Sequence, residues 1–257
     1  MTRKLALITG ASGGIGLEIA RLFARDGYDL ALVARSAEKL EAVATELRAN
    51  PNIVVTVFAQ DLSVAGAARA VFGQIPACDV LVNNAGFASN GAFAGIDEAR
   101  MLDEIALDVT ALTQLTRLYL PGMIERKYGR ILNVASTAAF LPGPNMAVYY
   151  ASKAYVLSFS EALAEETRGT GVTVTCLCPG ATATGFASRA GMQGTPLMRG
   201  PKADAVDVAR AGYNGMLAGK PVVVPGITNK LVGWTAHLTP RRLLLWVSRK
   251  TIEKGNA

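Results

Sequence analysis

The sequence predicts an α/β fold, a doubly wound parallel sheet of about seven strands flanked by helices on both faces. Three observations carry this. Short runs rich in Val, Ile and Leu recur along the chain, longer stretches of helical spacing separate them, and a glycine-rich turn follows the first run. A half-exposed strand alternates apolar and polar residues, whereas these runs are apolar on successive residues, as strands covered on both faces must be.

The elements follow in order. "LALIT" (5–9) is a first strand, and "GLEIARLFARDG" (16–27) has the spacing of a helix behind it. "DLALVA" (29–34) and "AEKLEAVATELRAN" (37–50) repeat the strand and helix pattern. "IVVTVF" (53–58), "DVLVNN" (79–84) and "RILNVA" (130–135) are further strands, and "AVYYASKAYVLSFSEALAEETRGTG" (147–171) is the longest helical stretch. "VTVTCL" (172–177) and "PVVVP" (221–225) complete the sheet. Alternation of this kind implies parallel strands joined by helical crossovers.

A chain of 257 residues suits one domain over 1–257. The stretch "GATATGFASRAGMQGTPLMRGP", without clear period, places a substrate lid at 181–200, and 227–257 reads as a C-terminal extension. A hydrophobic fraction of 51% with 18% charged residues argues against disorder and favours burial between copies, as a homodimer or homotetramer. The net charge of +6 is dispersed except near "PRRLLLWVSRKTIEK", so nucleic acid is not an expected partner; a phosphorylated cofactor or acidic substrate would use the same charge.

Cys78, Cys176 and Cys178 show no disulfide or metal spacing and read as core residues in a reducing cytoplasm. Cys176 and Cys178, two apart, would share one strand face. No metal site is expected, and the lone His237 has no second ligand in view. The apolar start is too short for a signal peptide, and no run reaches the roughly 18 residues of a membrane span. The tail "TPRRLLLWVSRKTIEK" mixes apolar residues with bases; packing on the domain or at a subunit interface is preferred over contact with an anionic membrane.

The turn "TGASGGIG" (9–16) lies between the first strand and its helix. Gly10, Gly14 and Gly16 permit a tight bend and let backbone N–H groups, aided by the helix N-terminus, approach a pyrophosphate. With "NNAG" (83–86), "YYASK" (149–153) and "CPGATAT" (178–184), it resembles the ordered motifs of the short-chain dehydrogenases/reductases over roughly residues 4–224. That family has a Rossmann-type fold. The resemblance implies that Ser12 and Ile15 join the three glycines in binding a nicotinamide cofactor. It implies that Asp61 contacts the adenine amino group, that Asn83, Ala85 and Gly86 line the cleft, and that Pro179, Gly180, Thr182 and Thr184 border the nicotinamide. Taken alone, Asp61 in "DLS" would read as a helix N-cap.

After the second strand, "LVARSAEKL" places Ala34 where an acid for a 2′-hydroxyl would stand, with Arg35 beside it. Arg35 would attract a 2′-phosphate, so NADP(H) is expected over NAD(H).

In one helix from Tyr149 to about Thr167, Lys153 shares a face with Tyr149, four residues before it; Tyr150 has Ala154 at that spacing. Tyr149 is therefore the candidate acid, and Tyr150 is packing or pocket wall. An ammonium about 4 Å from a phenol favours the phenolate by ~4 kcal/mol at an effective dielectric near 20, up to ~3 pKa units before desolvation opposes it. The resemblance further implies that Lys153 binds the nicotinamide ribose and that Ser136 holds the substrate oxygen. The nicotinamide would deliver hydride to a carbonyl carbon while Tyr149 protonates its oxygen, or the reverse in oxidation.

One position departs from the family pattern. Asp108, in "LDVTALTQ", stands where an asparagine is usual, and no asparagine lies between Asn90 and Asn133. A charge there would favour Lys153 as a cation, offset its pull on Tyr149, and alter the pH optimum with activity retained. The implied function is a carbonyl reductase or alcohol dehydrogenase for a hydrophobic ketone, aldehyde or secondary alcohol, with "FLPGPNM", "GFASNGAFAG", Phe186, Met192, Leu197 and Met198 as walls. Arg189 and Arg199 are candidates to meet an anionic tail, although solvated charges are preferred. A dinucleotide-binding sensor that has lost turnover is the alternative.

Overall fold

The computed structural model describes residues 3–253, and the side chain of His237 lies outside that description. The order is β1 (Leu5–Thr9), α1 (Gly14–Arg25), β2 (Asp29–Ala34), α2 (Ala37–Leu47), β3 (Val55–Ala59), α3 (Ala67–Gln74) and β4 (Val80–Asn83). Next come α4 (Glu98–Ile105), a π-helical turn at Ala106–Ala111, α5 (Leu112–Glu125), β5 (Gly129–Val134), α6 (Ala147–Glu166) and β6 (Val172–Leu177). The chain closes with α7 (Phe186–Arg189), α8 (Pro196–Arg199), α9 (Ala205–Leu217), β7 (Val222–Val223), α10 (Ile227–Leu238) and α11 (Arg241–Ile252).

The seven strands form one parallel sheet, as the apolar runs predict, and its order is β3-β2-β1-β4-β5-β6-β7. Successive side chains of a strand point to opposite faces. Ala6 and Ile8 accordingly belong to the same core as Ile19 and Phe23 of α1, Leu40 of α2 and Tyr213 of α9, while Leu7 between them belongs to the core on the other face with Val71 of α3 and Leu115 and Tyr119 of α5. Each fully buried side chain of this size contributes about 1.5–3 kcal/mol of transfer free energy, so covering both faces sets the order of the layers.

Three strands are shorter than the sequence pattern, and β4 keeps only Val80–Asn83 of residues 79–84. β3 begins at Val55, with the exposed Val54 just before it already accepting from Leu30 N at 2.8 Å. β7 holds only Val222 and Val223 at the sheet edge, flanked by Pro221 and Pro225, which lack the N–H a ladder needs. Pro221 still accepts from Cys176 N at 2.8 Å through its carbonyl.

The strand order, not the chain direction, switches between β1 and β4: β1 pairs with β2 on one side and β4 on the other, all parallel. Clefts of such sheets open at the carboxyl ends of these strands. Thr9 and Asn84 lock this point. Thr9 Oγ1 donates to Val82 O at 3.2 Å and accepts from the N–H groups of Asn84 and Ala85 at 3.0 Å each. Asn84 Nδ2 donates to Thr9 O at 3.0 Å and Gly10 O at 3.2 Å.

Candidate active site

A cavity of about 330 Å³ opens over the glycine turn. Gly10, Ser12, Gly14 and Ile15 line it, with Arg35, Asp61, Ala85 and Gly86. Gly10 has φ +66°, and a Cβ there would meet Asn84 Nδ2 at 2.7 Å, so both backbone angle and space require glycine. Gly16 is not in the lining. It lets α1 sit against the strand end, since a Cβ would fall 2.5 Å from Gly10 O.

Asn83 is a correction. Its side chain turns away from the cleft and donates to Asn133 Oδ1 at 2.9 Å and Thr116 Oγ1 at 3.1 Å. Neighbouring residues at a strand end face opposite sides, so Asn84 and not Asn83 reaches the cleft.

At the far end of the cavity, Arg35 Nη1 lies 3.9 Å from Asp61 Oδ2. Asp61 caps no helix; its Oδ1 accepts from Ser63 N at 3.0 Å and Ser63 Oγ at 2.8 Å. Ser36 and Lys39, at the N-terminus of α2, also line this end. Lys39 went unnoticed in the sequence, although it stands four residues past Arg35 on the opening turn of a predicted helix. Two cations and a helix N-terminus suit a phosphate, and the open glycine bend suits a dinucleotide.

An adjoining cavity of about 120 Å³ shares Thr184 and Phe186 with the first. Ser136, Tyr149, Tyr150, Pro179, Gly180 and Thr182 line it, with Met146, Met192, Leu197 and Met198 supplying apolar wall. Ser136 follows β5; its Oγ accepts from Ala138 N at 3.1 Å and donates to Pro179 O at 3.4 Å. The segment 181–200 folds over this cavity through α7 and α8, and the Phe186 ring lies 5.4 Å from that of Tyr149. Arg189 borders the larger cavity, whereas Arg199 faces solvent.

Tyr149 and Lys153 lie one turn apart on α6, with Lys153 Nζ 5.5 Å from the Tyr149 ring centre. Lys153 lines neither cavity. Its Nζ is 2.8 Å from Asp108 Oδ2 beneath the floor that Gly86 forms. A Cβ on Gly86 would sit 2.9 Å from Asp108 Oδ1 and 3.2 Å from Lys153 Nζ. Asp108 belongs to the π turn, an irregularity common at functional sites, and Oδ1 also accepts from Phe87 N at 3.2 Å.

Burial raises the Tyr149 phenol above its ordinary value, against the pull of the Lys153 ammonium and the Ser136 hydroxyl; Asp108 and Glu104 add to the rise. Desolvation here outweighs the pull of the ammonium. Burial opposes the charge on Lys153, but Asp108 and Tyr149 hold it raised overall. Burial likewise raises the Asp108 carboxyl, against the pull of Lys153, the Phe87 N–H and the Ser152 hydroxyl; the 2.8 Å contact between Lys153 Nζ and Asp108 Oδ2 is what favours the ion pair over two neutral groups.

Glu104, four residues before Asp108, was not singled out in the sequence. It is fully buried, and among the described residues neither carboxylate oxygen has a well-formed hydrogen bond, although the Ser89 hydroxyl is close enough to pull its carboxyl down. Burial pushes its carboxyl up to about 7, and Asp108 adds to the rise. Only its place one turn before Asp108 on the same helical face could have flagged it.

Among the described residues no cluster of potential ligands could hold a metal. All three cysteines are free and buried, with Cys176 and Cys178 sulfurs 3.7 Å apart.

The family profile for short chain dehydrogenases matches residues 4–193. The ketoacyl reductase HetN of Nostoc sp. is 33% identical over 236 residues, covering 90% of this chain and 77% of that protein. A short-chain dehydrogenase from Sphingobium yanoikuyae, solved in complex with NADPH, is 31% identical with a TM-score of 0.82 over 99% of this chain and 98% of that one. The bulky-bulky ketone specific alcohol dehydrogenase from Comamonas testosteroni is 26% identical with a TM-score of 0.79, over 100% and 98% of the two chains.

Proposed function

Since the chain belongs to the short-chain dehydrogenase family, and so to oxidoreductases that interconvert CH–OH and C=O with a nicotinamide cofactor, we propose that it is an NADP(H)-dependent reductase of hydrophobic ketones or aldehydes. The observation that carries this is the meeting of two cavities, one floored by the glycine turn and the other lined by Ser136 and Tyr149.

Gly10, Ser12, Gly14 and Ile15 would hold the cofactor's pyrophosphate, with Asp61 near the adenine and Pro179, Gly180, Thr182 and Thr184 at the nicotinamide end. Arg35 and Lys39 favour a 2′-phosphate. The NADPH bound by the Sphingobium enzyme supports the same choice. The cofactor supplies the hydride.

The chain's own residues handle the oxygen. The Ser136 and Tyr149 hydroxyls border the same apolar space, so a carbonyl oxygen there can accept from both. The phenol is protonated at neutral pH, as a donor to a carbonyl oxygen must be, and burial makes it the weaker acid that a neighbouring cation has to assist. Lys153, held charged by Asp108, stabilises the phenolate left behind. The methionine and aromatic walls favour a bulky apolar carbonyl, and the ketone specificity of the Comamonas enzyme points the same way.

Exposed Leu102, Ile105 and Tyr155 on α4 and α6 support association as a homodimer or homotetramer. The free thiols support a reducing cytoplasm. The test is NADPH oxidation over a panel of ketones and aldehydes. Turnover of bulky apolar members supports the reading; cofactor binding with no turnover across the panel sinks it.

A further inference from the structure

The last two helices carry a surface that the proposed reaction does not use. On α10, Ile227, Leu231, Trp234 and Leu238 are 78%, 53%, 67% and 71% exposed. Steps of four, three and four residues set them in one stripe along the helix. The opposite side is seated, with Ala236 buried and Gly233 against the Phe140 ring. α11 likewise buries Leu244, Ser248 and Ile252 and leaves Leu243 and Trp246 exposed beside Arg242, Arg249 and Lys250. Of the tail from Thr239, expected to pack on the domain or at a subunit interface, one face of α11 packs on the domain and the other is exposed.

Charge is concentrated in the same segment. Residues 227–257 hold six of the 26 Lys and Arg but one of the 20 Asp and Glu, an excess of +5 out of the chain's +6. That one acid, Glu253, is 3.4 Å from Arg249.

An apolar helical stripe, exposed tryptophans and flanking bases make up the composition of helices that lie in a headgroup layer. Contact between two copies across a two-fold axis would set this patch against itself and oppose +5 with +5, whereas an anionic lipid surface complements it. No helix among the described residues is long and apolar enough to cross a membrane, so contact would be at the surface. We propose that α10 and α11 form a docking surface for an anionic lipid bilayer, with Trp234 and Trp246 as anchors and Arg241, Arg242, Arg249 and Lys250 as headgroup contacts. This does not depend on the reaction proposed above. α11 packs on α8, whose Leu197 and Met198 line the smaller cavity, so the docked face adjoins the cover of that cavity.

Trp234 and Trp246 are the chain's two tryptophans, so its intrinsic emission reports on this surface directly. The full chain would be mixed with vesicles of phosphatidylcholine alone or of phosphatidylcholine and phosphatidylglycerol in equal amounts, and followed by emission and sedimentation. The expected result is a blue shift and co-sedimentation with the anionic vesicles, about tenfold weaker with neutral ones and reversed by salt. Arg241→Glu with Arg242→Glu should weaken binding about tenfold without changing the circular dichroism. Three results would overturn the proposal: no binding to anionic vesicles, equal binding to both kinds, or a lipid-free oligomer whose mass falls in Trp234→Ser/Trp246→Ser. The last would make the patch an interface between copies.

Discussion

Lys153 Nζ lies 2.8 Å from Asp108 Oδ2, with side-chain exposures of 7% and 0%. The lysine beneath the candidate acid therefore has a full counter-charge of its own, where the family pattern has a neutral asparagine. Part of its field is spent on Asp108, and the carboxylate itself raises the Tyr149 phenol.

Replacing Asp108 by Asn removes that charge while keeping shape and one acceptor. The phenol should then ionise at lower pH. For ketone reduction, the alkaline fall in kcat/KM is expected to move down by about one pH unit, since one unit corresponds to about 1.4 kcal/mol between protonation states. Activity near neutrality should persist. An unchanged pH–rate profile contradicts the coupling.

Gly86 forms the floor above this pair because no side chain fits there. Gly86→Ala should displace Asp108, Lys153 or both, lowering kcat by about tenfold or more while the circular dichroism stays native, since catalysis is sensitive to sub-ångström placement. Wild-type kcat in this variant would show that the floor is not tight.

Arg35 is held 3.9 Å from Asp61 at the cavity rim. Arg35→Asp should lower kcat/KM for NADPH by about ten- to a hundredfold, the worth of a charge-assisted hydrogen bond, and spare NADH. Equal use of the two cofactors by wild type, or no response to the substitution, removes Arg35 from the specificity account.

Glu104 ties the site to stability. Its folded value of about 7 lies above its ordinary 4.5. Between those values the folded chain holds a proton that the unfolded chain has released, so this group's contribution falls as pH rises through the window and is lost above about 7. Glu104→Gln cannot release the proton. Melting curves should show the two proteins converging near pH 4.5, with the variant several degrees more stable at pH 8. Parallel curves across the window would mean that the carboxylate is better solvated than its surroundings suggest.

The sheet was legible because burial on both faces writes itself as unbroken apolar runs, and the glycine turn because φ and close approach at Gly10 admit one residue type. Tyr149 and Lys153 followed from the turn of a helix. Asn83 misled because two adjacent asparagines look alike in sequence, whereas strand pleating gives them opposite directions. The net rise at Tyr149 was not legible, since it depends on how completely tertiary packing excludes water. Glu104 escaped for the same reason: a glutamate on an amphipathic helix reads as solvated until neighbouring elements close over it.

In the proposed reaction the Tyr149 phenol is the group that meets the substrate oxygen. Steady-state NADPH oxidation with one bulky ketone, compared across wild type, Tyr149→Phe and Tyr150→Phe, tests it most directly. Tyr149→Phe should lose at least about a hundredfold in kcat with cofactor binding intact, while Tyr150→Phe keeps kcat within a few-fold. Loss in Tyr150→Phe with Tyr149→Phe still active would contradict it.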